Sequence, residues 1–271
     1  LALTTEDSHK DAARRVDLVV DGKHVASVEA AGRTELDLDL PGSRARVELW
    51  LPHTAPTVLH QALLHEASVL VPAPPRGPRW TVHGSSITQC NEADSPVGTW
   101  PALVAAQNDY ELTALGLSGQ CHLDPPVAET IGRSRPDLVT LCIGANIYGA
   151  STFTERSLLP ALIGFVDHVR ALTPAPIVLM STITSGPHRE DAPNDAGLTQ
   201  RRLREIVHQG AELLATEDPL LTVVDGTEII TAEEMHLLGD QLHPTPEGYR
   251  VMAERLAPRM AEALAEAPTP S

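Results

Sequence analysis

Thr81-Val82-His83-Gly84-Ser85-Ser86-Ile87-Thr88-Gln89-Cys90 is a short β-rich approach that stops at a glycine and two hydroxyls. A strand ending in a Gly-Ser turn puts a side-chain oxygen at the carboxyl edge of its sheet, the edge where open α/β sheets bind ligands. A serine hydroxyl is a poor nucleophile until an imidazole, oriented by a carboxylate, takes its proton. Asp240-Gln241-Leu242-His243-Pro244 places such a pair near the other end of the chain. Each signal is weak alone, because Gly-Ser is a common turn and Asp-x-x-His a common helix cap. Their order, and what lies between them, carries the reading.

Around this stretch the pattern alternates between strands and helices. Residues 137–143 form a near-continuous apolar run ending at Gly144, and residues 110–115, 176–180 and 220–224 read as further strands. Residues 99–108, 127–134, 155–172, 198–215 and 247–265 read as helices, with Arg201, Arg202, Arg204 and Glu205 on a solvated face. Apolar strands that alternate with helices predict an α/β fold, with a parallel sheet covered on both sides.

Residues 1–72 read differently. Residues 16–20 are rich in Val, Asp21-Gly22 is a hairpin signal, and residues 23–30 can return as its partner strand. Residues 35–40 alternate Leu with acid, Pro41-Gly42 is a turn, residues 46–51 alternate again, and residues 58–71 hold His60 and His65. Five-residue spacing puts those two histidines on opposite faces of a strand, so they do not share a metal. Half-exposed strands of this kind predict a small all-β sandwich of jelly-roll or carbohydrate-binding-module type. Only four or five strands are legible, so the sandwich is small or its first strands lie outside the chain. Val71-Pro72-Ala73-Pro74-Pro75-Arg76-Gly77-Pro78 is a stiff spacer. The division expected is a sandwich over 1–72, a Pro-rich linker over 73–79 and a catalytic domain over 80–271.

The composition narrows the function. A net charge of -16 offers no basic patch for nucleic acid or an anionic membrane surface. No apolar run is long enough to span a bilayer. No signal peptide is legible, and the expectation is a cytoplasmic protein; the chain starts at Leu1 rather than Met, which leaves a preceding segment open. Cys90, Cys121 and Cys142 are too few for a disulfide framework and read as small buried side chains, with a Cys90–Cys121 bridge as the alternative. Cys and His spacings match no zinc pattern.

Two segments lie between the serine and the histidine. Leu115-Gly116-Leu117-Ser118-Gly119-Gln120 and Cys142-Ile143-Gly144-Ala145-Asn146 both follow strands. A glycine lets a backbone N–H approach a reacting group, and an Asn amide can donate to a developing oxyanion. Ser, Gly, Asn and Asp-x-x-His in this order resemble the SGNH, or GDSL-type, hydrolase family over about residues 79–265. The resemblance implies a three-layer α/β/α sandwich around a parallel sheet of about five strands. It also implies Ser86 as nucleophile, His243 as base and Asp240 as its orienting acid. The oxyanion hole it implies comes from Ser86, Gly119 and Asn146. Two departures stand out: Gly84-Ser85-Ser86 replaces the usual Gly-Asp-Ser, and Ile147 follows Asn146 where Asp is commoner.

The expected activity is acyl transfer through a Ser86 acyl-enzyme, on a small-molecule ester or acyl donor, with no cofactor or metal. Family members with an N-terminal β-sandwich often act on acylated sugars, which makes a carboxylester hydrolase the first expectation and an acyltransferase the second. The segment 181–191 reads as a substrate-facing loop. In it Arg189 is the candidate for an anionic donor, and Tyr148 is the candidate for a pocket wall. The oligomeric state is left open.

Overall fold

Residues 1–7, 14–40, 44–64 and 69–267 are described by a computed structural model. The first part holds six strands: β1 (Ala2–Thr5), β2 (Arg15–Val20), β3 (Lys23–Glu29), β4 (Gly32–Glu35), β5 (Val47–Trp50) and β6 (Thr57–Gln61). They form two antiparallel three-stranded sheets, ordered β4-β1-β6 and β3-β2-β5. Leu3, Val16, Ala30 and Leu36 make their small core. At the β2–β3 turn, Asp21 and Gly22 have φ of 49° and 78°. Both central residues of a type I′ turn need positive φ, so Asp-Gly meets the requirement.

Pairing, rather than alternation, decides where these strands end. The run 35–40 enters the sheet only at Glu35, which faces Ala2; Leu36 then exchanges bonds with Leu1, and the partner strand runs out. Likewise, among the described residues, the expected strand 58–71 pairs as far as Gln61, again opposite Ala2. The short β1 has no apolar alternation of its own and was not anticipated. The expected Pro41-Gly42 turn and His65 lie outside the described residues; His60 sits on β6 with Nε2 2.9 Å from Thr4 Oγ1.

After an irregular stretch, the chain builds β7 (Arg79–Gly84), β8 (Glu111–Gly116), β9 (Leu138–Cys142), β10 (Ile177–Met180) and β11 (Leu221–Val224). They form one parallel sheet in the order β11-β10-β9-β7-β8. The helices in chain order are α1 (Ser86–Gln89), α2 (Trp100–Asn108), α3 (Pro125–Arg133), α4 (Ala145–Ala150), α5 (Glu155–Arg170), α6 (Pro187–Asp191), α7 (Gln200–Ala215), α8 (Gly226–Ile229) and α9 (Pro246–Ala265). On one face of the sheet Trp80, Val82, Leu138, Val178 and Met180 pack with α2 and α9. On the other, Val139, Leu141, Ile177 and Leu179 pack with α3, α5 and α7. Both faces are dry, which is why these strands carry apolar residues at successive positions. The result is the three-layer α/β/α sandwich expected from the sequence, preceded by a small β domain. Among the described residues no helix is long and apolar enough to cross a membrane.

Before α9 a 3-10 segment, Ala232–Leu237, delivers the chain to the Asp240–His243 loop. Thr231 and Glu234 form a capping box at its start. Both Glu234 oxygens also accept from Arg255 of α9, at 2.6 Å each. Those two bonds, then the Thr231 N–H, hold the Glu234 carboxyl down at about 2. Glu234 is ionised at a lower pH in the fold than in the unfolded chain. Its stabilisation is therefore present above pH 4.5 and is lost as the pH falls towards 2. Glu234→Gln is expected to be less stable by about 1 kcal/mol at neutral pH, the pair being partly solvated. Melting curves of the two proteins should converge as the pH falls below about 3; a constant gap across that range would remove the ion pair as the cause.

Candidate active site

The carboxyl ends of β9, β7 and β8 lie side by side, because β7 pairs with both neighbours in parallel. Each of the three serine-, glycine- and asparagine-bearing segments leaves from one of these ends. β7 runs straight into α1. Ser85 caps that helix: its Oγ accepts from Ile87 N at 3.2 Å, and the residue is 4% exposed. Ser86 is the first residue of α1, and its Oγ lies 2.9 Å from His243 Nε2. The two hydroxyls of the Gly-Ser-Ser turn thus have different employment, and the one that meets the imidazole is Ser86.

Asp240 holds the other side of the ring, with Oδ2 2.8 Å from His243 Nδ1. Its Oδ1 accepts from the His243 and Leu242 N–H groups at 2.7 and 3.1 Å. A carboxylate can only accept from Nδ1, so Nδ1 carries the proton and Nε2 presents its lone pair to Ser86. Burial raises the Asp240 carboxyl, but the bonds from His243 and Leu242 outweigh it and bring it to about 2. The loop is closed at its base by Gly239 N to His243 O at 2.9 Å and by a bridge between Leu238 and Pro244. The carboxylate therefore caps its own loop and orients the ring at once.

Gly119 follows β8 in the left-handed region, at φ 72°, and a Cβ there would meet nothing within 4 Å. Asn146 sits in α4; its Oδ1 accepts from Cys121 N at 3.0 Å. That bond fixes which end of the Asn amide is the oxygen and leaves Nδ2 as the free donor. Among the described residues the Ser86 and Gly119 N–H groups also have no protein acceptor. Three hydrogen-bond donors thus leave three adjacent strand ends unused. Beneath them His83 of β7 is buried, with Nδ1 2.8 Å from Leu115 O and Nε2 3.4 Å from Cys121 Sγ.

Arg189 and Tyr148 come together, the guanidinium lying 5.9 Å from the ring centroid. The Tyr148 hydroxyl donates to Ala192 O at 3.1 Å. The segment 181–191 is a strand exit followed by α6 rather than a plain loop. A buried ion pair from Glu190 to Arg204 of α7 anchors it, and Gly186 N donates to Gln241 O at 2.8 Å. No described contact joins Arg189 or Tyr148 to Ser86 or His243.

Some polar groupings carry no relay. Ser181, His208 and Asp225 form a second serine–histidine–carboxylate cluster, but Ser181 Oγ and Asp225 Oδ2 both contact Nε2 of His208, each at 3.5 Å. One nitrogen cannot be oriented by the acid and take the serine proton together. The three cysteines are free thiols, so no Cys90–Cys121 bridge forms. Cys121 Sγ lies 3.4 Å from His83 Nε2, Cys90 Sγ donates to Ile87 O at 3.3 Å, and burial pushes the thiols up, Cys142 to about 12. Among the described residues no cluster of three or more His, Cys, Asp or Glu is placed to hold a metal ion. Sequence reading passed over Gln89 and His53, which tie α1 to the Gly119 loop and to the β domain. A glutamine at a helix end and a histidine in a loop carry no spacing that marks them.

Residues 82–251 match the GDSL-like Lipase/Acylhydrolase family. No curated protein matches the sequence significantly. The chain is similar to the solved structure of a salicylyl-acyltransferase, SsfX3, from a tetracycline biosynthetic pathway, at TM-score 0.78 and 28% identity over 99% of this chain and 80% of that one. It is also similar to a family two carbohydrate esterase from Clostridium thermocellum in complex with cellohexaose, at TM-score 0.71 and 15% identity over 97% of this chain and 88% of that one. An acetyl xylan esterase, Est2A, from the rumen bacterium Butyrivibrio proteoclasticus matches at TM-score 0.63 and 16% identity, over 97% and 86%. These last two likenesses concern the fold, and they extend through the β domain as well as the parallel sheet. The family match spans more than half of the chain and takes in both Ser86 and His243. The chain therefore belongs to the GDSL-like Lipase/Acylhydrolase family and is an enzyme of the esterase or acyltransferase kind.

Proposed function

We propose that the chain transfers acyl groups through Ser86, with His243 as general base and Asp240 as its orienting acid. The observation that carries this is the unbroken line from Ser86 Oγ through His243 Nε2 and Nδ1 to Asp240 Oδ2, at 2.9 and 2.8 Å. His243 takes the Ser86 proton as Oγ attacks an ester or thioester carbonyl. The oxyanion is met by the Ser86 and Gly119 N–H groups and the Asn146 amide. His243 then gives its proton to the leaving oxygen or sulfur, and an acyl-enzyme remains. Water or an alcohol, deprotonated by His243, resolves it.

The first reading of the product step is hydrolysis of a small polar or carbohydrate ester. The second is transfer to a hydroxyl, and the 28% identity to a salicylyl-acyltransferase across nearly the whole chain favours it. Arg189 is the candidate for an anionic group on the donor and Tyr148 for an aromatic wall. The Gly186–Gln241 contact supports this, because it brings the start of α6 against the Asp240–His243 loop.

The two serines separate by mutation. Ser86→Ala is expected to lower kcat on p-nitrophenyl acetate at least about 10,000-fold. Ser85→Ala is expected to keep activity within a few-fold and to lower stability by about 1 kcal/mol through the lost helix cap. The reverse pattern would move the nucleophile to Ser85. Asp240 remains a carboxylate down to about pH 2. Asp240→Asn is therefore expected to lower kcat about 10,000-fold at about pH 7 to 8, where the carboxylate of the wild type is ionised. Activity within a few-fold of wild type there would contradict Asp240 as the orienting acid. Added alcohol acceptors distinguish the product steps: faster p-nitrophenol release with a new ester product marks a transferase, and an acceptor-independent rate marks a hydrolase.

A further inference from the structure

We infer that the β domain is a working part of the oxyanion hole, with Gln89 and His53 as positioning residues that hold the Gly119 loop in register with α1. This rests on the reading of Ser86 and Gly119 given above.

Gln89 ends α1 and uses both ends of its amide. Oε1 accepts from Ser118 N at 3.0 Å, and Nε2 donates to His53 O at 3.1 Å. The assignment is forced, because a peptide N–H needs the oxygen and a carbonyl needs the NH2. His53 adds a second bond across the boundary, from its Nε2 to Cys90 O at 2.9 Å. Cys90 is the left-handed C-cap of α1, at φ 62°. One loop residue of the β domain therefore grips both the last side chain of α1 and the carbonyl that closes it.

The loop it governs is also held by its own turn, Gln120 N donating to Leu117 O at 3.0 Å, and by His122, whose Nε2 lies 3.0 Å from Gly119 O. Gly119 is exposed, and a Cβ added there would meet nothing within 4 Å. Leu117 N is tied to Gly84 O at 2.8 Å, and Asn91 Nδ2 reaches Ser118 Oγ at 3.3 Å. The bond that Ser118 N donates to Gln89 fixes the peptide immediately before the one that carries the Gly119 N–H, and so the base from which that N–H is presented. Gly116 lets β8 come close enough: a Cβ there would lie 2.3 Å from Gln89 N. Misplacing a donor by about 1 Å costs on the order of 100-fold in rate. A clasp that serves only to glue two domains would instead change melting and leave the chemistry alone.

The test is the rate at which a fluorophosphonate labels the protein, read by intact mass. Ser86 Oγ attacks phosphorus, fluoride leaves, the proton passes to His243, and the phosphoryl oxygen occupies the oxyanion hole, so no knowledge of the natural ester is needed. Gln89→Leu is expected to slow labelling about 10- to 100-fold while its Tm stays within about 3 °C of wild type. Gln89→Glu keeps an acceptor for Ser118 N but turns a carboxylate on His53 O, and should fall between the two. His53→Ala should slow labelling as well, and the double variant should be no slower than Gln89→Leu, since both act through one clasp. Should Gln89→Leu fail to fold, Gln89→Glu and His53→Ala carry the same comparison. Wild-type labelling rates in Gln89→Leu and His53→Ala, or losses that merely track Tm, overturn the inference while leaving Ser86 in place. A wild type that takes no label, or Ser86→Ala that takes it, overturns the reading of Ser86 and the inference with it.

Discussion

Strand β7 hydrogen-bonds in parallel to β9 on one side and β8 on the other. Parallel neighbours end at the same edge, so whatever follows the three strands must emerge together. Ser86 follows one strand, the Gly119 loop the second and Asn146 the third. They are 60 residues apart in sequence from first to last, and the sheet removes that separation. The two apolar cores on either face hold the sheet in this register. Burial of Trp80, Leu138, Leu141 and Ile177 fixes the strand order that brings these three segments together.

The fourth segment arrives by another route. The Asp240–His243 loop belongs to no strand and is set by the 3-10 segment, by α9 and by the Glu234–Arg255 pair. Its bonds are local: Asp240 caps the turn it sits in and orients the ring three residues on. The loop thus carries Asp240 and His243, already hydrogen-bonded to each other, to Ser86. Ser85 shows the same economy at the other end, where its hydroxyl caps α1 and leaves Ser86 as the one facing the imidazole.

The β domain contributes a small core, yet it is joined to the rest by specific polar contacts. Asp17, fully buried on β2, accepts from Val97 N at 3.2 Å. Arg76 of the spacer pairs with Glu48 of β5, and Arg46 donates to Pro74 O at 2.6 Å. His53 reaches further than either, to the helix that begins with Ser86. Proline stiffness alone did not reveal this: a spacer read as separating two parts is itself pinned to β5 and to Arg46 just ahead of it.

The sequence by itself determined the α/β class, the parallel sheet, the β character of the first part of the chain and the Ser–Gly–Asn–Asp-x-x-His order. Each of these is local: apolar periodicity, a turn dipeptide or a short motif is legible wherever the next few residues dictate the outcome. Tertiary structure decided the rest. Residues 35–40 alternate like a strand, but pairing ends with Glu35 and the Leu36–Leu1 bonds, because strand length depends on a partner that β1 supplies and then exhausts. Cys90 and Cys121 form no bridge although both are buried beside the site, since Cys90 Sγ donates to Ile87 O and Cys121 Sγ lies against His83 Nε2. Ser181, His208 and Asp225 have the residue types of a relay, and only their geometry shows that one nitrogen serves both contacts. Gln89 and His53 left no mark in the sequence at all. Their partners lie 29 and 37 residues away, and a hydrogen bond across that distance exists only once the sheet and the β domain are packed against each other.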